Sequence, residues 1–416
     1  METRFATAIL VFCGLLAFLG YTLNRGRLKE VNVSRSVDNS AHIKYCVPHY
    51  SLLLQEKDRA MGDHRDPDTA FTLMASYNYG NYSVITTQAK GVLGKKVYCR
   101  YFLYINIFFQ EEMEPAVESF IFPENAVYCC SRDKTRYMSV TENLKDPFVE
   151  YIPIVNRRLK RPKYFLSLCL SPMYGDERKW LFLAELVEHN KLQGVEYFYI
   201  YVKDMDDYTN ELITHYVRNG LAEVVPFHKD NDRVGKQWQH AYLQDCIQRS
   251  RGHSKYVIIQ DVDERILPAD NLTFRKLIRE TMKTNKTIAM VSFPTLEFMM
   301  TLSPPLEYRG NNTLDLYLPT LVYHKNRFTG RMPKCAIDPT KVLVMWNSSA
   351  SVLFPGYIEH HLTTQKVIMR RYSGVGIQGN PDLTSLNVTA FPTGLMSTLY
   401  SKVEETLNQV YGKGTN

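Results

Sequence analysis

Asp261-Val262-Asp263-Glu264 is the run in this 416-residue chain whose side chains are best spaced to do chemistry. Two carboxylates separated by one residue on a tight turn reach the same side, and hard divalent cations such as magnesium or manganese prefer such oxygen ligands. A cation held there bridges the oxygens of a diphosphate and stabilises the charge that grows on them as a bond breaks. An isolated Asp-x-Asp reads just as well as a solvated loop. What precedes it favours the first reading: Tyr256 to Gln260 is a short apolar strand bracketed by charges, and ligands of open α/β sheets gather beyond the carboxyl ends of such strands.

That strand is the fourth in a βα alternation. Tyr164 to Leu170 is a continuous apolar run suited to a buried parallel strand, ended by Ser171-Pro172. A helix follows, with an acidic start at Asp176-Glu177 and with Trp180, Leu183, Ala184 and Val187 along one face. Gly194 stops it, Val195 to Val202 is the second strand, and Tyr208 to Arg218 the next helix. Ala222 to Pro226 is a third strand and Lys236 to Arg249 a third helix. Beyond the acidic turn, Thr287 to Phe293, Leu316 to Tyr323 and Lys341 to Met345 read as further strands. Met396 to Val410 reads as a closing helix, its apolar stripe Leu399, Val403, Leu407 and Val410.

Other candidates each carry an alternative. Ser171 at the end of the first strand lines a nucleotide pocket or simply forms a Ser-Pro turn. Asp204 after the second strand stands where an acid meets a ribose or base, or is a helix N-cap or a loop acid. Glu185 and Glu188 are helix-surface or ion-pair residues. Trp238 and Trp346 stack on a sugar or belong to the core. A phosphatase-like aspartyl nucleophile also uses Asp-x-Asp after a strand, but it expects Thr or Val two residues on, where this chain has Arg265.

The front of the chain has a different texture. Residues 5–23 carry no charged side chain over a length that spans a bilayer core as a helix, after a tail of residues 1–4. Arg25, Arg27 and Lys29 would place the following side in the cytoplasm. Against that, N-x-S/T sequons at Asn32, Asn81, Asn271, Asn285, Asn311, Asn347 and Asn387 all lie beyond the run and favour a lumenal body. A cleaved signal peptide is the rival reading. Residues 24–45 read as a polar stem, residues 46–155 as a β-rich domain without long helical period, and residues 164–412 as the α/β domain. Cys46, Cys99, Cys129, Cys130, Cys169, Cys246 and Cys335 contain no C-x-x-C pair, which argues against zinc. In an oxidising lumen some of them pair, the adjacent Cys129 and Cys130 with different partners. The net charge of +7, spread over 50 basic and 43 acidic residues without a basic block, argues against nucleic acid.

Several of these residues fall in one order. Cys169, Ser171-Pro172 and Tyr174-Gly175, then Trp180, Glu185, Glu188-His189, Gly194 and Tyr199-Ile200-Tyr201, then Gln239, Asp245-Cys246 and Asp261-Val262-Asp263-Glu264 resemble glycosyltransferase family 92. The resemblance implies a GT-A nucleotide-sugar-binding fold, a mostly parallel sheet with flanking helices. It also implies an inverting transfer of galactose from UDP-galactose to a glycan of a glycoprotein or glycolipid, with manganese, forming a β linkage. The implied setting is the Golgi or endoplasmic reticulum membrane, held by the one N-terminal helix.

Further expectations concern the site. Asp261 and Asp263 hold the metal, and Ser171 and Asp204 join them around the UDP-sugar. Inversion needs one base for the acceptor hydroxyl, and Glu297, in the apolar segment Phe293 to Met300, is the candidate; its alternative is a buried, paired structural carboxylate. The C-terminal part departs from the family: Trp346-Asn347-Ser348 stands where a His is usual, and Arg371-Tyr372-Ser373 where a His-Tyr-Arg triplet is. His361, from the pair His360-His361, is then the candidate late metal ligand or an ordinary surface His. A relative that keeps the fold but binds glycan or nucleotide without turnover is the alternative to an enzyme.

Overall fold

The computed structural model describes residues 39–60, 72–88, 94–105, 110–123, 125–147, 150–175, 177–227, 238–300, 303–321, 323–327, 333–346, 350–375 and 391–412. Ser40–Asn416 form one compact unit, and all that follows concerns it. The apolar run 5–23 lies outside the described residues; among those described, no helix is long and apolar enough to cross a membrane.

Two short helices, α1 (Asn39–Cys46) and α2 (Tyr50–Ala60), open the unit. They lie at the end of the stretch read as a stem and the start of the one read as β-rich, where no long helical period was visible. Ile43 of α1 and Leu53 of α2 are buried, while the charged Gln55 to Arg59 segment conceals the period of the second. The strands that follow are β1 (Thr72–Asn78), β2 (Tyr82–Gln88), β3 (Lys96–Ile105), β4 (Gln110–Glu112), β5 (Val117–Phe120), β6 (Ala126–Cys130), β7 (Tyr137–Thr141) and β8 (Ile152–Asn156). They form one mainly antiparallel sheet in the order β4-β3-β7-β8-β1-β2-β6, with β5 on β3. Disulfides Cys46–Cys130 and Cys99–Cys129 staple it, so the adjacent cysteines do take different partners.

The α/β part begins with β9 (Tyr164–Met173), α3 (Trp180–Leu192), β10 (Tyr197–Val202), α4 (Asp207–Arg218), β11 (Ala222–Pro226), α5 (Trp238–Ser250) and β12 (Ser254–Gln260). Then come β13 (Glu264–Pro268), α6 (Phe274–Thr284), β14 (Ile288–Phe293), β15 (Thr295–Met300), α7 (Asn311–Tyr317), β16 (Tyr323–Arg327), β17 (Lys334–Ile337), β18 (Val342–Met345), β19 (Ala350–Leu353), β20 (Ile358–His361), β21 (Val367–Val375) and α8 (Thr393–Tyr411). The central sheet runs β11-β10-β9-β12-β17-β14-β20. Its first four strands are parallel and β17 alone runs against its neighbours, so the sheet is mixed and, as the resemblance implied, mostly parallel. A second sheet, β13-β21-β15-β16, starts where the acidic turn ends.

Local chemistry explains the boundaries. Asp206 caps α4, its carboxylate accepting from Thr209 N at 2.8 Å, and Thr273 caps α6. Gly194 at φ +90° turns the chain after α3, and a Cβ there would lie 2.6 Å from Arg275 Cβ. The acidic start expected for α3 is not part of it: the helix begins at Trp180, and Glu177 pairs with Lys179 at 3.2 Å in the preceding loop. The strand expected over Leu316 to Tyr323 is also corrected. Leu314 of α7 and Leu318, the residue that caps its end, are buried four residues apart, and β16 starts only at Tyr323. The closing helix packs on α3 through buried Leu399, Val403 and Leu407.

Asp245 on α5 joins the two halves. Its Oδ1 accepts from Tyr77 OH of β1 at 2.7 Å and Thr86 Oγ1 of β2 at 2.6 Å. Its Oδ2 accepts from Tyr201 OH of β10 at 2.7 Å and Arg249 Nε at 2.8 Å. The neighbouring Cys246 is bonded to Cys169 of β9, leaving Cys335 reduced and buried.

Candidate active site

Asp261, Val262 and Asp263 form the link between the last residue of β12 and the first of β13. The turn is pinned by its own backbone: Glu264 N donates to Asp261 O at 3.1 Å, Asp261 N donates to Glu264 Oε2 at 2.8 Å, and Tyr372 N of β21 donates to Asp263 O at 2.8 Å. It therefore sits at the carboxyl edge of the parallel strands, held from below by Glu264 and from the side by β21.

Three carboxylates meet there. Asp261, Asp263 and Glu264 each offer an oxygen within 4.8 Å of the others. Ser171, two residues before the end of β9, donates its hydroxyl to Asp261 Oδ1 and lies 2.9 Å from Tyr242 OH. Lys334, the first residue of β17, places its ammonium 2.9 Å from Asp261 Oδ2 and 3.1 Å from Glu264 Oε1, the latter an ion-pair contact off hydrogen-bond geometry. Arg371 of β21 puts Nε 3.1 Å from Asp263 Oδ2 and Nη1 3.9 Å from Asp261 Oδ2.

The charges respond to this crowding. Burial pushes Glu264 up to about 8, with Asp261 and Asp263 adding to the rise against the pull of Lys334. Burial also raises Asp263, despite Arg371. Asp261 goes the other way: burial opposes ionisation, but Lys334, Ser171 and Arg371 together hold its carboxyl below the usual range. Lys334 loses from burial yet is raised strongly by Glu264 and Asp261, so it stays charged.

Glu297 comes to the same place through register. On the second sheet, Glu264 faces Arg371, and Arg371 in turn faces Glu297 of β15, so the three residues form one row across adjacent strands. Asp204 lies in the loop after β10, its backbone N–H 3.3 Å from Met173 O at the end of β9; of its two alternatives the helix cap falls to Asp206, and the loop position is the one it holds. His361 is not brought in. It ends the edge strand β20, separated from β12 by β17 and β14, 73% exposed and paired with Glu359 at 3.5 Å. Among the described residues the acidic cluster holds no His. The edge-strand position of His361 explains this: the pair His360-His361 rides on the far edge of the sheet rather than in a loop over the turn.

Glu185 and Glu188 are not surface residues, since both are buried. Glu185 pairs with Arg265, and Glu188 with Lys191, the latter at 2.7 Å. Trp346 packs half-buried against the N-terminal sheet's core, and the Trp238 side chain lies outside the described residues. Sequence reasoning missed Lys334, whose signal was a single charge entering a short buried strand, Lys334–Ile337. Arg371 was visible as a departure from the family triplet but without a role.

The donor set fits a hard divalent cation. All three residues offer carboxylate oxygens, and Asp263 Oδ1 is buried with no hydrogen-bond partner among the described residues, an orphan acceptor such an ion would satisfy.

The model of glycosyltransferase family 92 matches residues 164–407, which contain the acidic turn, Lys334 and Arg371. The chain belongs to glycosyltransferase family 92. The family 92 match covers the whole central sheet and leaves the N-terminal sheet outside it. The β-1,4-galactosyltransferase galt-1 of Caenorhabditis elegans is 31% identical over 111 residues, 25% of this chain and 26% of that one. The chain thus spans about a quarter of the length of the curated relative it matches. Among solved structures, glucosyl-3-phosphoglycerate synthase from Mycobacterium tuberculosis in complex with Mn2+, uridine-diphosphate and glucosyl-3-phosphoglycerate gives a TM-score of 0.27 at 13% identity, covering 61% of this chain and 82% of that one. S. aureus TarS gives 0.24 at 15% identity, covering 32% of this chain and 21% of that one. Scores this low carry no argument about the site.

Proposed function

We propose that this family 92 glycosyltransferase moves a hexose, galactose first among the candidates, from a UDP-sugar to a hydroxyl of a glycan on a glycoprotein or glycolipid, with inversion to a β linkage. The observation that carries the reading is the clustering of Asp261, Asp263 and Glu264 at the carboxyl end of β12, within the family match. The galactose and the linkage rest on the partial likeness to the Caenorhabditis elegans enzyme.

In this proposal Asp261 and Asp263 hold manganese or magnesium, which when bound neutralises charge on the leaving diphosphate. Ser171 orients the Asp261 carboxylate, and Asp204 stands at the neighbouring strand end to meet the nucleoside. Glu297 takes the proton of the acceptor hydroxyl while the sugar is displaced in one step. The setting proposed is the lumen of the Golgi or endoplasmic reticulum, with residues 5–23 as the anchor. The sequon residues Asn81, Asn271, Asn285 and Asn311 are all exposed, as glycan acceptors must be, and three disulfides suit an oxidising lumen.

The test is transfer by the full-length chain from UDP-galactose and other UDP-sugars to an array of glycans, with manganese. Product that disappears in Asp261→Ala supports the proposal. Absence of both transfer and donor hydrolysis across all donors sinks it. A second reading, nucleotide or glycan binding without turnover, is favoured by the distance of His361 from the cluster, and it expects UDP binding with no product.

A further inference from the structure

We infer that Arg371 binds the donor diphosphate directly and that the chain binds a nucleoside diphosphate without any divalent cation, an inference that rests on the nucleotide-sugar reading of the same site. Two of the chain's own cations are already seated among the three carboxylates. Lys334 is shared by Asp261 and Glu264, and Arg371 by Asp263 and, more distantly, Asp261. A divalent ion competes with both for the same oxygens, and tethered cations compete at high effective concentration. Asp263 Oδ1 is the one oxygen of these two aspartates that no described donor reaches.

The two cations differ in access. Lys334 is 8% exposed and lies between carboxylates, so it serves to hold the turn. Arg371 is 29% exposed. Its Nε is anchored on Asp263, and no described residue accepts from its Nη2. A guanidinium fixed along one edge and open along another presents its remaining N–H groups as a planar fork, the geometry that takes two phosphate oxygens. Its backbone is fixed as well: β21 is paired on both sides, by β13 and β15. The side chain thus stands at the acidic turn before any ligand arrives, and a diphosphate approaching Asp261 and Asp263 meets a fixed cation first. A divalent ion then acts on turnover rather than on nucleotide capture.

The experiment is calorimetric titration of UDP into the full-length chain in EDTA and again in manganese. The expected result is binding in EDTA with an affinity within about threefold of that in manganese, because the charge-assisted contacts come from the protein. Arg371→Ala should weaken UDP binding in EDTA by roughly 10- to 100-fold, the loss expected for hydrogen bonds to a charged group. Arg371→Lys, which keeps the charge and the fold but not the fork, should lose an intermediate amount. Wild-type binding that requires manganese overturns the inference while leaving the nucleotide-sugar reading intact. An Arg371→Lys and Arg371→Ala pair that bind like wild type, both with unchanged unfolding midpoints, also overturns it. No UDP binding with or without manganese overturns both.

Discussion

Glu185 Oε1 and Arg265 Nε lie 2.7 Å apart, and neither side chain reaches solvent. The pair is a strut between α3 and the acidic turn. Arg265 also donates to Val262 O at 2.8 Å, Glu264 O at 2.7 Å and Phe182 O at 2.8 Å, while Glu185 Oε2 accepts from Thr320 N at 3.1 Å. Breaking one partner leaves a buried charge alone, which costs about 3–5 kcal/mol. Glu185→Leu should therefore lower stability to chemical denaturation by about that much, and the double variant Glu185→Leu with Arg265→Met should recover much of the loss. A single-variant loss below about 1 kcal/mol would mean that water or another acid replaces Glu185.

Asp245 makes a comparable prediction at the junction of the two sheets. Burial raises its carboxyl, but Arg249, Thr86 and Tyr201 together hold it below the usual range, so it is charged in the fold. Asp245→Asn keeps the shape and removes the charge facing buried Arg249. The expected loss is about 2–4 kcal/mol, and limited proteolysis should then release the N-terminal sheet more readily than in wild type. Equal protease resistance in the two proteins would place the joint elsewhere.

Glu297 separates chemistry from binding. It shares a row with Arg371 and Glu264 but bonds to neither aspartate of the turn in any contact described above. Glu297→Gln should leave UDP affinity unchanged and cut the transfer rate by about 10²- to 10⁴-fold, the range for removal of a general base. A variant that transfers at the wild-type rate would return Glu297 to the role of a structural carboxylate.

The sequence made the parallel core legible because the strands β9, β10 and β12 each carry a buried apolar run and the helix α3 follows the first of them. Tyr164 to Leu170 and Tyr256 to Gln260 could hardly be anything but buried strands, and the acidic turn followed from the second of them. The second sheet was hidden. Strand β13, Glu264–Pro268, carries a buried Arg and a buried Glu, a pattern that period alone assigns to a loop. The cations at the site were hidden for the same reason: Lys334 and Arg371 come from strands 73 and 108 residues away from the acids they meet. The edge position of His361 was hidden too, because local sequence says nothing of which sheet edge a four-residue strand joins.

The fold should also sense acid through His189. Its Nε2–H donates to Ile266 O at 2.7 Å behind the acidic turn. Burial drives the imidazole down to about 3, the carbonyl contact opposing and Arg265 and Arg370 adding to the fall. The depressed value fixes the sign. In the unfolded chain the group takes a proton below its ordinary value of 6.5, whereas in the fold it stays neutral to about 3. Its contribution is therefore whole above pH 6.5 and is lost progressively as pH falls from there towards 3, at up to about 1.4 kcal/mol per pH unit. His253, lowered to about 4 chiefly by burial, adds a second proton over part of the same window. His189→Gln keeps a donor for Ile266 O and removes the titration. Unfolding free energies at pH 7, 6 and 5 should then fall less steeply in the variant, by about one proton's worth, with His253 supplying what remains. Parallel curves for the two proteins would show that His189 is protonated within the fold.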